Sequence, residues 1–237
     1  MSEMLMDGHA IHCWQLYYGV IYNGFSALSL LEGNLLGTAY PLCRGAIEMY
    51  LKLLILNTQT EFYDWYEKFR MLEVEYSCGQ AYPEEFNALF EKRVRQDLKS
   101  RADYLHFGWV DYIDGYHKAV KKFPYSIYGI ITFFKDKNEV RILELEQLGD
   151  FYKSCHAYTQ GSIQTAIYPL LHYFEISIML YHVIRDTFLL MCGEKGVEAL
   201  VDGNDVISMI DRDFEVLHEQ YKIRSTEMFE IARHEGF

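Results

Sequence analysis

The chain lacks most of the residue patterns that would name a chemistry outright. Its five cysteines (Cys13, Cys43, Cys78, Cys155, Cys192) are odd in number, widely spaced and contain no Cys-x-x-Cys pair. That pattern excludes a disulfide framework and a cysteine zinc site, and it points to free thiols in a reducing, cytoplasmic setting. There is no GxGxxG, no Walker A and no GxSxG sequence, so the usual phosphate-cradling loops and the nucleophile elbow are missing. Basic charge is scarce: 22 Lys and Arg stand against 34 Asp and Glu, a net charge of −12. A protein that coats nucleic acid non-specifically is excluded by that balance, because phosphate binding needs a positive surface. No Pro-, Gly- or Ser-rich linker, low-complexity run or internal repeat interrupts the chain, which favours one domain. The opening "MSEMLMDGHA" has acidic residues where a signal peptide needs basic ones.

Charge is also missing locally. From Gly8 to Cys43 the only formally charged residue is Glu32. The stretch is long enough to span a bilayer. It nevertheless carries His12, Gln15, Asn23, Ser26 and Ser29 and has no positive flank, so it reads as a buried helix of a protein without a membrane span.

What the chain does contain is apolar and aromatic: 50% hydrophobic residues, with 20 tyrosines and 15 phenylalanines. Each buried tyrosine hydroxyl wants a partner, so the core should be threaded with polar contacts. Helical periodicity dominates. Residues 9–32 and 38–57 read as a buried pair split at Gly33-Asn34, with Pro41 in a first helical turn. Residues 60–76 form an amphipathic helix capped by Thr60. Pro83 opens another, whose stripe of Phe86, Phe90, Val94, Leu98, Ala102 and Leu105 reads as one helix. "GWVDYIDGYHKAVKKFP" reads as a helix ended by Pro124. "YSIYGIITFFKDKNEVRIL" fits a hairpin or a short helix with a polar loop, and the helix suits its surroundings better. Residues 141–158 follow, then an all-round apolar helix over 162–191, bent at Pro169 and placed at the centre. Segments 194–201 and 205–222 form a last pair before the tail. The expected fold is one all-α domain, a bundle of about seven to nine helices. It comprises a buried pair (9–57), amphipathic helices (60–106), central helices (141–191) and C-terminal helices with a tail (194–237).

Four groups of residues are site candidates. Within "PLCRGAIEMYLKLLIL", Arg44, Glu48 and Lys52 recur at every fourth position, so they share a helix face and Arg44 can pair with Glu48. An exposed stripe is one reading. The other turns Lys52 to water and Arg44 and Glu48 inward as a satisfied pair, and the apolar surroundings favour it. A second stripe, Gln164, Tyr168, His172, Glu175, His182 and Asp186, runs along the most apolar helix. A carboxylate one turn from a histidine suits acid–base work, although such a face also simply meets water. Third, "YKSCHAYTQGS" holds Ser154 and His156, about 160° apart on one helix and so not a preassembled nucleophile–base pair. Fourth, "RADYLH" holds Arg101 and His106 beside a local basic patch of Lys92, Arg93, Arg95 and Lys99, whose plainer reading is a solvated helix face. Only one Glu-x-x-His motif occurs, Glu215 to His218. A di-iron site needs two, so neither a metal nor another cofactor is expected.

Two resemblances attach to these motifs. The spacing of Arg101 and His106 resembles the Arg-x4-6-His signature of the HEPN ribonucleases, helical proteins in which a dimer assembles two such motifs into an RNA-cleaving site. Ala102 stands where that family usually has a polar residue. The order of "LCRGAIEMYLKLLIL", Trp109 and "LGDFYKSCHAYTQGS" before a long apolar helix is similar to an uncharacterised helical bacterial family, a domain of unknown function. That likeness implies that Arg44, Glu48 and His156 form a group across the core, and it implies no reaction.

Three functions follow as expectations. The first is a binding protein whose Arg44, Glu48, His156, His172 and Glu175 line a pocket for a small polar molecule or a protein partner. The second is a HEPN-like ribonuclease of toxin or phage-defence type using Arg101 and His106, the one reading with an RNA partner, and a homodimer. The third is an assembly protein without an active site, which requires a large apolar surface patch on the uncharged N-terminal helices.

Overall fold

Nothing in the sequence between Gly8 and Leu31 breaks a helix, and the first obstacle is Gly33. The computed structural model of the protein places its first helix accordingly. It describes residues 8–33, 35–79, 81–93, 100–136, 145–159 and 169–199, with helical positions between 212 and 230. The side chains of 36, 93, 136, 145–146, 156–159, 169–174 and 192–199 lie outside the described residues. Among the described residues there are nine α-helices, one 3-10 turn and no strand. The fold is all-α.

The described chain divides into two compact units, Met1–Leu54 with Glu146–Phe237, and Ile55–Leu145. The first is built from both ends of the sequence, which explains why no linker marks it.

In the first unit, α1 (Gly8–Glu32) is followed by α2 (Leu36–Thr58), whose residues to Leu54 belong here. The Leu35 amide donates to the Leu30 carbonyl at 2.8 Å and the Gly33 amide to Ser29 at 3.2 Å, so the end of α1 is satisfied by its own turn. Glycines allow the close approaches of α1. A Cβ on Gly19 would collide with the Met49 sulfur of α2, and one on Gly24 would come within 2.8 Å of Ile184 Cδ1 in α9 (Pro169–Ala199). The face of α1 carrying His12, Cys13, Val20, Gly24, Ala27 and Leu31 is buried. The last element of the unit is α8 (Leu145–Thr159), which buries Leu148, Phe151, Tyr152 and Cys155.

Several expectations change here. Pro41 does not open α2 but sits inside it, because a turn from Leu36 precedes it. Its missing amide proton faces the carbonyl of exposed Gly37. Pro169 is the first described residue of α9, and the expected bend there depends on the residues before it. The expected 162–168 part of that helix lies outside the described residues. Residues 194–199 continue α9 instead of starting a new helix. Nor is α9 enclosed on all sides. Ile176, Ser177, Leu180, Val183 and Thr187 are buried, and its other described side chains are only half-buried.

The second unit is aromatic throughout. Helix α3 (Tyr63–Gly79) begins three residues after Thr60, and α4 (Glu84–Arg93) follows Pro83. The stripe from Phe86 to Leu105 is two helices rather than one. Ser100 is extended and its side chain accepts the Asp103 amide at 3.1 Å, which starts α5 (Arg101–Phe107) afresh. Val94 and Leu98 lie outside the described residues. The segment expected as one helix up to Pro124 is instead a 3-10 turn (Gly108–Tyr112) and a single turn, α6 (Tyr116–Ala119). Gly115 between them has φ of 74°, a left-handed conformation that ends the first and frees the second. The first half of the hairpin-or-helix segment is helical, as α7 (Ile127–Asp136), and its residues from 137 on lie outside the described residues. Trp109 stacks on Phe62 at 5.5 Å and donates from Nε1 to the His106 carbonyl at 2.8 Å. Tyr104 meets Phe69 edge-on at 5.5 Å and Tyr125 at 5.1 Å. No described helix is long and apolar enough to cross a membrane.

The tightest point in this unit is Gly108, where a Cβ would enter the Phe69 ring and lie 3.1 Å from Tyr104. Gly108→Ala is therefore expected to cost about 1–3 kcal/mol by overpacking, read as a lower urea midpoint. An unchanged midpoint would mean the rings yield freely.

Candidate functional site

Residues four apart on α2 share a face, and the first charged pair on that face meets directly. Arg44 Nε donates to Glu48 Oε1 at 2.9 Å. The same carboxylate oxygen accepts the Tyr152 hydroxyl of α8 at 2.6 Å, across 104 residues of sequence. The Arg44 guanidinium also lies 5.6 Å from the centre of the Tyr152 ring, within cation–π range. One carboxylate oxygen thus holds a cation from its own helix and a phenol from another.

The triangle is half open to solvent. The Arg44 and Glu48 side chains are 37% and 29% exposed, whereas Tyr152 is 6% exposed. The expected inward turn of the pair is thus only partial, and Lys52 is half-buried rather than fully in water. Burial works against the charge on Arg44, but Glu48 and Tyr152 outweigh it and raise its pKa. The Tyr152 phenol is pushed well up, first by burial and then by its bond to the Glu48 carboxylate, against the pull of Arg44. With their pKa values raised, the Arg44 guanidinium stays charged and the Tyr152 phenol stays protonated near neutrality, so both act as donors to Glu48 Oε1.

Glu175 belongs to the same neighbourhood. The Cys155 thiol is raised mainly by burial and further by Cys43 and the Glu175 carboxylate, while Arg44 lowers it. Cys43, itself pushed up to about 12 by burial, lies one position before Arg44. Both thiols are buried, and they are held as neutral, unreactive groups. Of the five residues expected to line a pocket, Arg44 and Glu48 meet directly, and Glu175 is near enough to Cys155 for its carboxylate to raise that thiol. The side chains of His156 and His172 lie outside the described residues. Ser154 donates back to the Asp150 carbonyl of its own helix at 3.2 Å.

Tyr152 was legible only as a core residue of its helix. The signal for its role was the apolar setting of Glu48, which demands a donor from another element.

No protein-family model, curated protein or solved structure matches the chain. The likenesses of Arg44-x3-Glu48 and Arg101-x4-His106 rest on those residues alone.

Arg101 and His106 leave α5 about 140° apart and engage different partners. Arg101 Nη1 donates to Asn87 Oδ1 at 3.0 Å and lies over the Phe90 ring at 5.1 Å. His106 Nδ1 pairs with Glu73 of α3. Both are exposed. Of the neighbouring basic patch, Arg95 and Lys99 lie outside the described residues.

The second unit has a polar centre of its own that the sequence did not flag. Asp111, with a side chain only 2% exposed, accepts the Tyr125 hydroxyl at 2.8 Å and bonds His117 Nε2 at 2.7 Å. Its other oxygen accepts Tyr104 at 3.3 Å. This carboxylate knits the 3-10 turn, α5 and α6 together, and His117 stands on a shallow groove of about 430 Å³. No metal-binding group of three or more His, Cys, Asp or Glu occurs among the described residues.

Helix α2 is gripped a second time, nearly opposite Glu48. Tyr50 donates to Asp186 of α9 at 3.4 Å, and burial raises the Asp186 pKa from 3.8 to about 6, against the pull of Arg185 and the Tyr50 bond. The folded state therefore binds this proton more tightly than the unfolded chain. The group costs no stability below about pH 4, and the penalty is complete above about pH 6. Asp186→Asn, which keeps an acceptor for Tyr50, is expected to stabilise the protein by on the order of 1–3 kcal/mol at pH 7.5 and by almost nothing at pH 4. Urea titrations at both values check this, and an equal effect at both would contradict it.

Proposed function

We propose that the Arg44–Glu48–Tyr152 group, together with Glu175, forms a binding site for a small polar molecule. A purely structural ion pair gains nothing from standing half in water, where such pairs contribute little. Here the buried phenol fixes the pair while its outer edge stays accessible, and that observation carries the reading. Side chains already held by hydrogen bonds lose little entropy when a ligand docks.

The charges select the ligand class. One guanidinium offers donors to a carboxylate or amide oxygen, and two carboxylates offer acceptors to an ammonium or amide nitrogen. A small zwitterion or amide carrying both groups, of amino-acid type, matches this set. A simple dianion does not, because Glu48 and Glu175 repel it. With the guanidinium and the phenol both held in their protonated forms, the site is suited to binding rather than proton transfer.

The test is a thermal-shift panel of free amino acids, their amides, polyamines and dicarboxylates. At least one amino-acid-type compound is expected to stabilise the protein, by about 2.7 kcal/mol when present at a hundred times its dissociation constant. Arg44→Gln and Glu48→Gln should each abolish that shift while keeping cooperative unfolding. Stabilisation by dicarboxylates alone, or a shift that survives both substitutions, would contradict the assignment.

A further inference from the structure

A helix that is apolar all the way round is normally covered all the way round. Helix α1 carries no formal charge before Glu32, and among the described residues it is buried on one side only. Its uncovered side presents Ile11, Trp14, Tyr18, Tyr22 and Phe25, which are between 42% and 67% exposed. At 100° per residue these five fall within an arc of about 80° and run about 21 Å along the axis. The buried stripe through Val20, Gly24 and Ala27 lies on the opposite side. The two stripes are separate, so the exposed one is not a ragged margin of the core.

We propose that this face of α1 docks against the same face of a second copy of the chain. The reasoning does not depend on the ligand assignment, which concerns α2, α8 and α9.

Three observations select the occupant. The chain carries a net charge of −12, so two copies repel wherever their acidic surfaces approach, and the α1 stripe offers a charge-free line of contact. A basic partner would instead need acidic residues along that line, and none stands there. The area also fits. Four half-exposed aromatic side chains and one isoleucine present on the order of 500 Å² per copy. A two-fold pairing uses the same patch twice, and burying it on both copies removes about 1,000 Å², the lower limit for a specific interface and the range of a weak, reversible one. The make-up of the patch is that of an interface centre. The Tyr18 and Tyr22 rings already stack at 6.2 Å, which gives a rigid aromatic platform with little entropy left to lose. Exposed Gln15 and Ser29 flank the stripe as a polar rim.

The experiment is sedimentation velocity on the intact chain from about 0.1 to about 100 μM, a range that brackets micromolar self-association. The expected result is a shift from monomer to dimer mass across the series. Tyr18→Glu combined with Phe25→Glu should hold the chain at monomer mass throughout, whereas Val74→Glu, an exposed apolar position of the second unit, should leave the dimer intact. A wild-type chain that stays monomeric overturns the proposal, as does a dimer that survives the double substitution. Monomer that floats with phosphatidylcholine–phosphatidylglycerol vesicles overturns it in favour of a lipid surface. If the double variant loses its helical circular dichroism, the unaltered chain decides alone. Its tryptophan emission should move to the red on dilution as Trp14 is uncovered, and emission independent of concentration overturns the proposal.

Discussion

One carboxylate oxygen carries much of the first unit's specificity. Glu48 Oε1 accepts both Arg44 and Tyr152, and so joins a helix near the start of the chain to one more than a hundred residues later. A chain packed in another register would lose the short charge-assisted bond from the buried phenol to that oxygen, so such packings are disfavoured. The Tyr50–Asp186 contact does the same for α9 on the opposite side of α2. Apolar burial drives these helices together, and the two carboxylates decide how they meet.

The second unit solves the same problem with different parts. Its core holds two groups of rings, Phe62 and Tyr66 around Trp109, and Phe69 and Tyr125 around Tyr104, and Asp111 takes up the hydroxyls of Tyr104 and Tyr125. Each unit therefore combines an aromatic-rich core with a buried or half-buried carboxylate that tyrosines satisfy. The composition foretold this: so many tyrosines in so apolar a chain need acceptors inside it.

The legible features were those set by local sequence. The Gly33-Asn34 break, the helix after Pro83 and the helical outcome at Ile127–Asp136 all follow from residues within a few positions. The features that escaped depend on competing local signals or on distant partners. Pro41 looked like a helix start because proline favours the first turn, but Leu36–Tyr40 already form one. Ser100 was lost inside an apolar stripe, although its cap restarts the chain. Gly115 ended a helix by adopting a positive φ that periodicity cannot register. The Arg44–Glu48 pairing was readable from spacing of four, whereas its anchor was not, because nothing near residue 48 names residue 152. The exposed face of α1 was hidden for a related reason: a helix apolar all round does not say which side its own fold covers.

The account therefore turns on whether Glu48 and Tyr152 act as one unit. A double-mutant cycle with Glu48→Gln and Tyr152→Phe, followed by urea unfolding, measures this without reference to any ligand. A charge-assisted bond between α2 and α8 predicts a coupling of roughly 1–2 kcal/mol. Additivity within about 0.3 kcal/mol would contradict it, and the triangle would then be a surface contact of no consequence.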